Sequence, residues 1–354
     1  MMTRFALIVA AIGLAIIPLP PLQVERWYST GVYPVLQDAL TAGSNDVPFA
    51  LFDALMVGAA AWLLWRVLDA SREGGRWVRV MARFAVSAAT VCALLYLGFL
   101  AAWGLNYRRV PLRDKLVFSP EQVSPARARD LAETVIERLN ALHRQAHQET
   151  AIPGVNDVDP VLATAFHDAQ RLVGVRRPAR AGRPKRSLLN PYFHAAGVDG
   201  MTDPYFLETL IASDLLPFER PFIVAHEWSH LAGYADESEA SFVGWLACVH
   251  GPPRLEYSGW LFLYGQVVGG LDRDAQTQVT ARLEAGPRED LRAIRERVQR
   301  QTKPIVSMAG WRVYDRYLKA NRVAAGTASY AQVVQLVLGT RFSGQWRPAV
   351  KPLS

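Results

Sequence analysis

No charged residue interrupts this chain from Phe5 to Val24, nor from Phe84 to Tyr107. Runs of that length constrain a fold severely, because a helix of about 20 apolar residues matches the hydrocarbon thickness of a bilayer. Such a helix also satisfies its own backbone polar groups, which lipid cannot do for it. Between the two runs lies Val47 to Trp65, apolar except for Asp53. An acid is costly in lipid unless it sits near an interface or faces a neighbouring helix. The three runs predict transmembrane helices at about 5–24, 47–66 and 84–105, making residues 1–106 a membrane anchor with the lipid bilayer as partner.

The first run is followed by Pro18, Pro20 and Pro21 rather than by a small-residue cleavage site, so it reads as an uncleaved anchor and not as a signal peptide. Arg66, Arg72, Arg76, Arg79 and Arg83 crowd the second connection, whereas the first holds only Arg26. Cytoplasmic loops are the ones enriched in Lys and Arg, so the N-terminus is expected inside. Residues 107–354 then lie on the far side, which in a bacterium is the periplasm or the exterior. Trp103 and Tyr107 suit an interfacial aromatic belt. The expected location is the bacterial inner (cell) membrane, multi-pass.

A net charge of +7 raises the question of nucleic acid, but several of the arginines responsible flank apolar runs and no interleaved basic and aromatic surface motif occurs. No nucleic-acid partner is expected. Cys92 sits inside an apolar run and Cys248 far downstream, which makes a disulfide between them geometrically implausible.

Residues 107–354 carry no repeat and read as one mainly helical domain. From Pro125 to His147, Leu131, Val135, Leu139 and Leu142 recur at spacings of three and four, with Ser124 as the cap. The stretch Arg176 to Arg186, basic and broken by Pro178 and Pro184, reads as a solvated loop. Asn190-Pro191, Gly197, Gly200 and Asp203-Pro204 punctuate Leu188 to Phe206, where a short strand or two is expected between turns. Helices return from Pro221.

The run from Phe222 to Gly233 contains His226-Glu227-Trp228-Ser229-His230, an HExxH pattern entered through Pro221, which is well placed in a first helical turn. Residues four apart share a helix face, so His226 and His230 can aim both imidazoles at one tetrahedral Zn2+. Glu227 then flanks the ion as general base, taking a proton from a zinc-bound water whose pKa falls to about 7. Two histidines and a glutamate on one apolar stretch are expensive to bury unpaired, and a metal removes that cost. His143 and His147 also stand four apart, but without the glutamate and on a charged helix, and they read as solvated.

A catalytic zinc takes three protein ligands and leaves one position open, so a third donor is required. After Gly233 comes an apolar-periodic run that opens like a capping box, with Asp236 as cap and Glu239 three residues on. Glu237, in the first turn, is the carboxylate left for the metal. Glu239 ranks second, Asp236 third at the place of the last ligand in extended HExxHxxGxxH motifs, and His250 a remote fourth.

These residues resemble the bacterial membrane-anchored family known as domain of unknown function 3810, with its HExxHxxG helix followed by E-x-E-A. The likeness runs through Trp103 to Tyr107, Gly197 to Gly200, Pro204, Glu208, the HEWSH core, Glu237, Glu239-Ala240, Leu246 to Cys248, Tyr317 to Lys319 and Ser329-Tyr330. More distantly the chain is similar to the gluzincin peptidases, in which a glutamate from the next helix binds zinc and a polar residue four positions later supports a ligand. That resemblance implies Glu237 as ligand and Ser241 as support, where Asn or Asp is the usual occupant. It also implies a mainly α chain: three transmembrane helices followed by a zincin-like, mostly helical α+β metallopeptidase domain. By the same analogy Val198 to Met201 is an edge strand that adds substrate to a sheet. Tyr234, Tyr314, Tyr317 and Tyr330 are candidate oxyanion donors.

The expected function is hydrolysis of peptide bonds in a peptide or protein substrate by zinc-activated water. A catalytically silent zinc-binding membrane sensor or scaffold is the alternative. A transporter built around Asp53 is a third reading, weakened by having three helices and one acid.

Overall fold

The computed structural model describes residues 2–72, 77–148, 153–323, 326 and 332–352. Ser329, Tyr330 and any role for them lie outside the described residues. The chain is mainly helical. The principal helices are α1 (Met2–Ile16), α2 (Tyr33–Asn45), α3 (Leu51–Arg72), α4 (Trp77–Ala102), α5 (Pro125–Gln148) and α6 (Pro160–Leu172). They are followed by α7 (Arg220–Leu231), α8 (Glu237–Val249), α9 (Pro253–Gly269), α10 (Ala285–Gln301) and α11 (Pro304–Ala320).

One three-stranded sheet lies between α6 and α7, formed by β1 (Pro184–Lys185), β2 (Gly200–Asp203) and β3 (Glu208–Ile211). Its order is β1-β3-β2, with β1 parallel and β2 antiparallel to the central β3. Gly200 faces Ile211 and Asp203 faces Glu208 across that antiparallel pair. Of the short strand or two expected within Leu188 to Phe206, β2 is present, and with β1 it forms the edges of the sheet.

Among the described residues two helices are long and apolar enough to cross a membrane, Leu51–Asp69 within α3 and Met81–Ala102 within α4, or three spans if the bent pair Met2–Ile16 and Pro21–Asn45 counts as one. The expected helix at 5–24 is not continuous. The first apolar run ends as α1 at Ile16, about 22 Å long at the helical rise per residue and shorter than a hydrocarbon core of about 30 Å. Beyond it the chain turns through 113° into Pro21–Asn45. Proline lacks the N–H that a continuing helix needs, and Pro18, Pro20 and Pro21 stand at the break.

After the bend the chain packs into the helical body, because its polar side chains find partners there. Gln37 brackets Arg180, donating to its carbonyl at 2.9 Å and accepting from its N–H at 2.9 Å. Thr41 donates to the Leu207 carbonyl at 3.1 Å. Asp53, at the start of α3, accepts from Ser187 Oγ at 2.6 Å and from the Leu188 N–H at 2.8 Å. A carboxylate that costs heavily in lipid is thus hydrogen-bonded by the body on which the helix stands.

The stretch Arg176 to Arg186 also departs from expectation. Ala179, Ala181 and Lys185 are buried, and β1 is part of the sheet. Lys185 Nζ lies 2.5 Å from Glu208 and donates to the Ser44 carbonyl at 2.6 Å, so a basic residue inside the fold has full compensation.

The core closes around α7, α8 and α9, where Trp228, Trp245 and Trp260 are fully buried. The α5 face made by Leu131, Val135, Leu139 and Leu142 joins it as the apolar spacing requires. Tyr33 of α2 and Phe99, Leu100 and Trp103 at the end of α4 belong to the same core, so the end of that apolar helix is continuous with the body.

Candidate metal centre

Helix α7 begins with Pro221 in its first turn and ends before Gly233, whose φ of 82° suits a residue without a side chain. Its carbonyls at the C-terminal end are capped from the start of α2 and from the residue that follows α4. Tyr33 OH donates to the Leu231 carbonyl at 2.7 Å and Trp103 Nε1 to the His230 carbonyl at 2.8 Å. These contacts hold the turn that carries His230. They also give Trp103 a structural task where the sequence suggested an interfacial one.

Helix α8 starts at the cap the sequence indicates. Asp236 Oδ1 accepts from the Ser238 N–H at 2.9 Å and more weakly from the Glu239 N–H at 3.4 Å. Glu239 does not reach back to close a capping box. Its carboxylate instead accepts from the Leu112 N–H at 2.6 Å, and burial followed by the nearby Asp236 pushes its pKa up to about 7. Both rivals for the third ligand are therefore engaged away from the histidines. His250 Nδ1 pairs with the Leu246 carbonyl at 2.9 Å, at the end of α8.

Glu237 is the acid that faces the histidines. Its Oε2 lies 3.2 Å from His226 Nε2 and 3.3 Å from His230 Nε2, and all three groups are buried. The three ligand atoms lie within 4.8 Å of one another. Glu237 Oε2 is a buried oxygen with no hydrogen-bond partner among the described residues. Bonds of about 2.0–2.2 Å from a tetrahedral ion to nitrogen and oxygen would space donors roughly 3.3–3.6 Å apart, close to the separations seen. The donor set thus fits zinc in number and type, and the two separations from Glu237 fit its spacing.

The tautomers suit the same purpose. His230 Nδ1 lies 2.7 Å from the Tyr234 carbonyl, which only accepts, so a neutral ring keeps the Nε2 lone pair toward Glu237. His226 Nδ1 lies 3.3 Å from Ser241 Oγ, a long contact for the supporting position. Tyr314, on α11, donates to the other Glu237 oxygen and orients the carboxylate. Burial alone would raise the Glu237 pKa, but the His230 charge and both imidazoles hold it well below the usual range.

Glu227 is buried beside these groups, its pKa raised chiefly by burial and partly held down by the two histidines. Thr202 Oγ1, on β2, lies 2.9 Å from both the Glu227 Oε2 and the Glu227 carbonyl. A Cβ on Gly200 would stand 2.8 Å from Glu227 Oε1, so β2 passes close to this carboxylate only because that residue is glycine. Sequence reasoning placed the strand slightly early, at Val198 to Met201, and missed Thr202 and the Tyr314 contact, for which spacing offers no signal. Of the other tyrosines, Tyr234 is buried against the Arg109 guanidinium and Tyr317 stacks on Tyr314.

A model of a family described as protein of unknown function (DUF3810) matches residues 28–338. The chain belongs to that family. No curated protein and no solved structure matches it. Of the residues behind the family resemblance, Trp103 caps α7, Gly200 leaves room for Glu227, and Glu208 accepts from the Leu51 and Phe52 N–H groups at 3.1 and 3.0 Å.

Proposed function

We propose that this DUF3810 member is a membrane-anchored zinc metallopeptidase acting on peptide or protein substrates on the periplasmic or extracellular side of a bacterial cell membrane. The observation that carries the reading is the convergence of His226, His230 and the partnerless Glu237 oxygen, with the Glu227 carboxylate buried beside them. Zinc bound there would lower the pKa of a water in its open position to about 7 and polarise a substrate carbonyl.

In this reading Glu227 takes the proton from the attacking water and later returns it to the leaving amine. Thr202 keeps the acid turned toward the site. Tyr314 and Ser241 set the orientation of Glu237 and His226. The outer strand β2, which carries Thr202, offers an edge to which an extended peptide adds by main-chain pairing.

The orientation rests on the hairpin of α3 and α4. Both helices meet the body at Leu51 and Ala102, so their basic connection lies at the far end. Arginines concentrate in cytoplasmic loops, which supports a body outside the cytoplasm in this reading.

Glu227→Gln in the full chain tests the reading. Zinc content should stay at the wild-type level while hydrolysis of a fluorogenic peptide library falls by about 10²–10⁴-fold. Unchanged hydrolysis would remove Glu227 from the chemistry. Stoichiometric zinc with no turnover in the wild type would favour a silent sensor or scaffold.

A further inference from the structure

A second cluster of metal-ligating groups lies outside this centre. His143 and His147, one turn apart near the end of α5, both direct Nε2 at Asp290 on α10, at 3.5 and 3.3 Å from Oδ2. The rings lie 4.3 Å apart between centroids. Asp290 is buried, and Tyr257 donates to the same Oδ2 at 2.6 Å. A Cβ on Gly286 would stand 2.4 Å from the His143 ring, so the glycine leaves the ring its place. The expectation that both histidines are simply solvated is thereby corrected, because α10 brings them a buried carboxylate that local sequence does not reveal.

The hydrogen-bond pattern leaves one interaction unexplained. His147 Nδ1 lies 2.9 Å from the His143 carbonyl, which only accepts, so Nδ1 carries the proton. A neutral His147 then points an Nε2 lone pair at an oxygen that already accepts from Tyr257. Either a proton on His147 or a cation relieves that repulsion. A proton on His147 would serve too, with a neutral His143 donating from Nε2, so the separations distinguish the two. Separations of 3.3 and 3.5 Å exceed the usual N–H···O length of about 2.9–3.0 Å and match the donor spacing around a tetrahedral ion.

We propose that His143, His147 and Asp290 form a second divalent-cation site, independent of the centre on α7 and α8. Two imidazoles and one carboxylate select zinc, cobalt or nickel over magnesium or calcium, which prefer all-oxygen sets. The side chains of His143 and His147 are 29% and 36% exposed, so an ion enters from solvent and keeps open positions there. Occupancy ties α5 to α10. Seven residues along α10, Arg297 binds Asp199 at 2.9 Å and Glu219 at 2.7 Å, just before β2 and α7 respectively. The outer ion therefore braces the helix that holds the two elements bearing Gly200 and Glu227.

Titration of the detergent-purified full chain with Co2+ alone tests this, read by visible absorption and by metal content after desalting. Wild type should take two equivalents. His147→Ala and Asp290→Asn should each lose one, and Glu237→Gln should leave the outer equivalent in place. Tyr257→Phe, which keeps the core ring, should weaken the outer equivalent by about 10–100-fold. A single wild-type equivalent that disappears with Glu237→Gln would overturn the proposal. So would two equivalents unchanged in Asp290→Asn and Tyr257→Phe. Should His147→Ala fail to fold, those last two variants decide.

Discussion

Replacing Lys185 by methionine isolates the interaction that ties the sheet to the membrane hairpin. The Lys185 and Glu208 side chains are 2% and 0% exposed and lie 2.5 Å apart. Lys185 also donates to the Ser44 and Phe49 carbonyls at 2.6 and 3.1 Å, while Glu208 accepts from the first two N–H groups of α3. Methionine fills similar volume but strands the Glu208 charge and orphans two carbonyls. Breaking a buried pair from one side costs about 3–5 kcal/mol. For a protein of this size that is a fall of about 4–7 °C in apparent Tm, followed by tryptophan fluorescence in detergent at one scan rate. Lys185→Met with Glu208→Gln should recover more than half of the loss, since a neutral amide oxygen still accepts from Leu51 and Phe52. A single-variant shift under about 2 °C, or a double variant no better than the single, would refute the claim that an uncompensated charge dominates.

Other outcomes follow from the same geometry. Glu237→Gln should remove zinc from the α7 and α8 site, whereas Asp236→Asn and Glu239→Gln should retain it, as metal analysis will show; equal retention in all three would dismiss Glu237 as ligand. Tyr314→Phe should weaken zinc by about 10–100-fold in a chelator competition, because it frees the Glu237 carboxylate to rotate. In the metal-free protein burial lowers the His230 pKa but Glu237 more than offsets it, pushing it up to about 9 from an ordinary 6.5. That raised value stabilises the metal-free fold fully below about pH 6.5 and ceases to do so as pH rises through about 9. Zinc must displace this proton, so its affinity should climb about tenfold per pH unit between those limits, and a flat profile would exclude His230 as the protonated partner. Asp53→Asn should lower apparent Tm by a few degrees through its weakened bonds to Ser187 and Leu188, with zinc content unchanged.

Much of the candidate site was legible because its signals are local. HExxH, the proline before it, the glycine after it and the Asp236 cap all act within one or two helical turns, and the helices start and stop accordingly. The capping argument also singled out Glu237 for a physical reason, since Asp236 is committed to backbone N–H groups. It assigned Glu239 to the wrong partner, because Leu112 stands 127 residues away in sequence. The break after α1 was written in Pro18, Pro20 and Pro21, yet hydropathy alone ran across them. His143 and His147 looked solvated for a similar reason, their carboxylate being supplied by a distant helix.

By itself the sequence determined which segments are apolar enough to leave water, where helices begin and end, and which face of α7 carries both imidazoles, because periodicity, capping and proline act between near neighbours. Tertiary structure alone decided what Glu239 pairs with, how Gly200 and Thr202 approach Glu227, and where Lys185 and Asp53 find their partners. Those outcomes depend on how helices and strands far apart in the chain pack, and no short-range pattern records that choice.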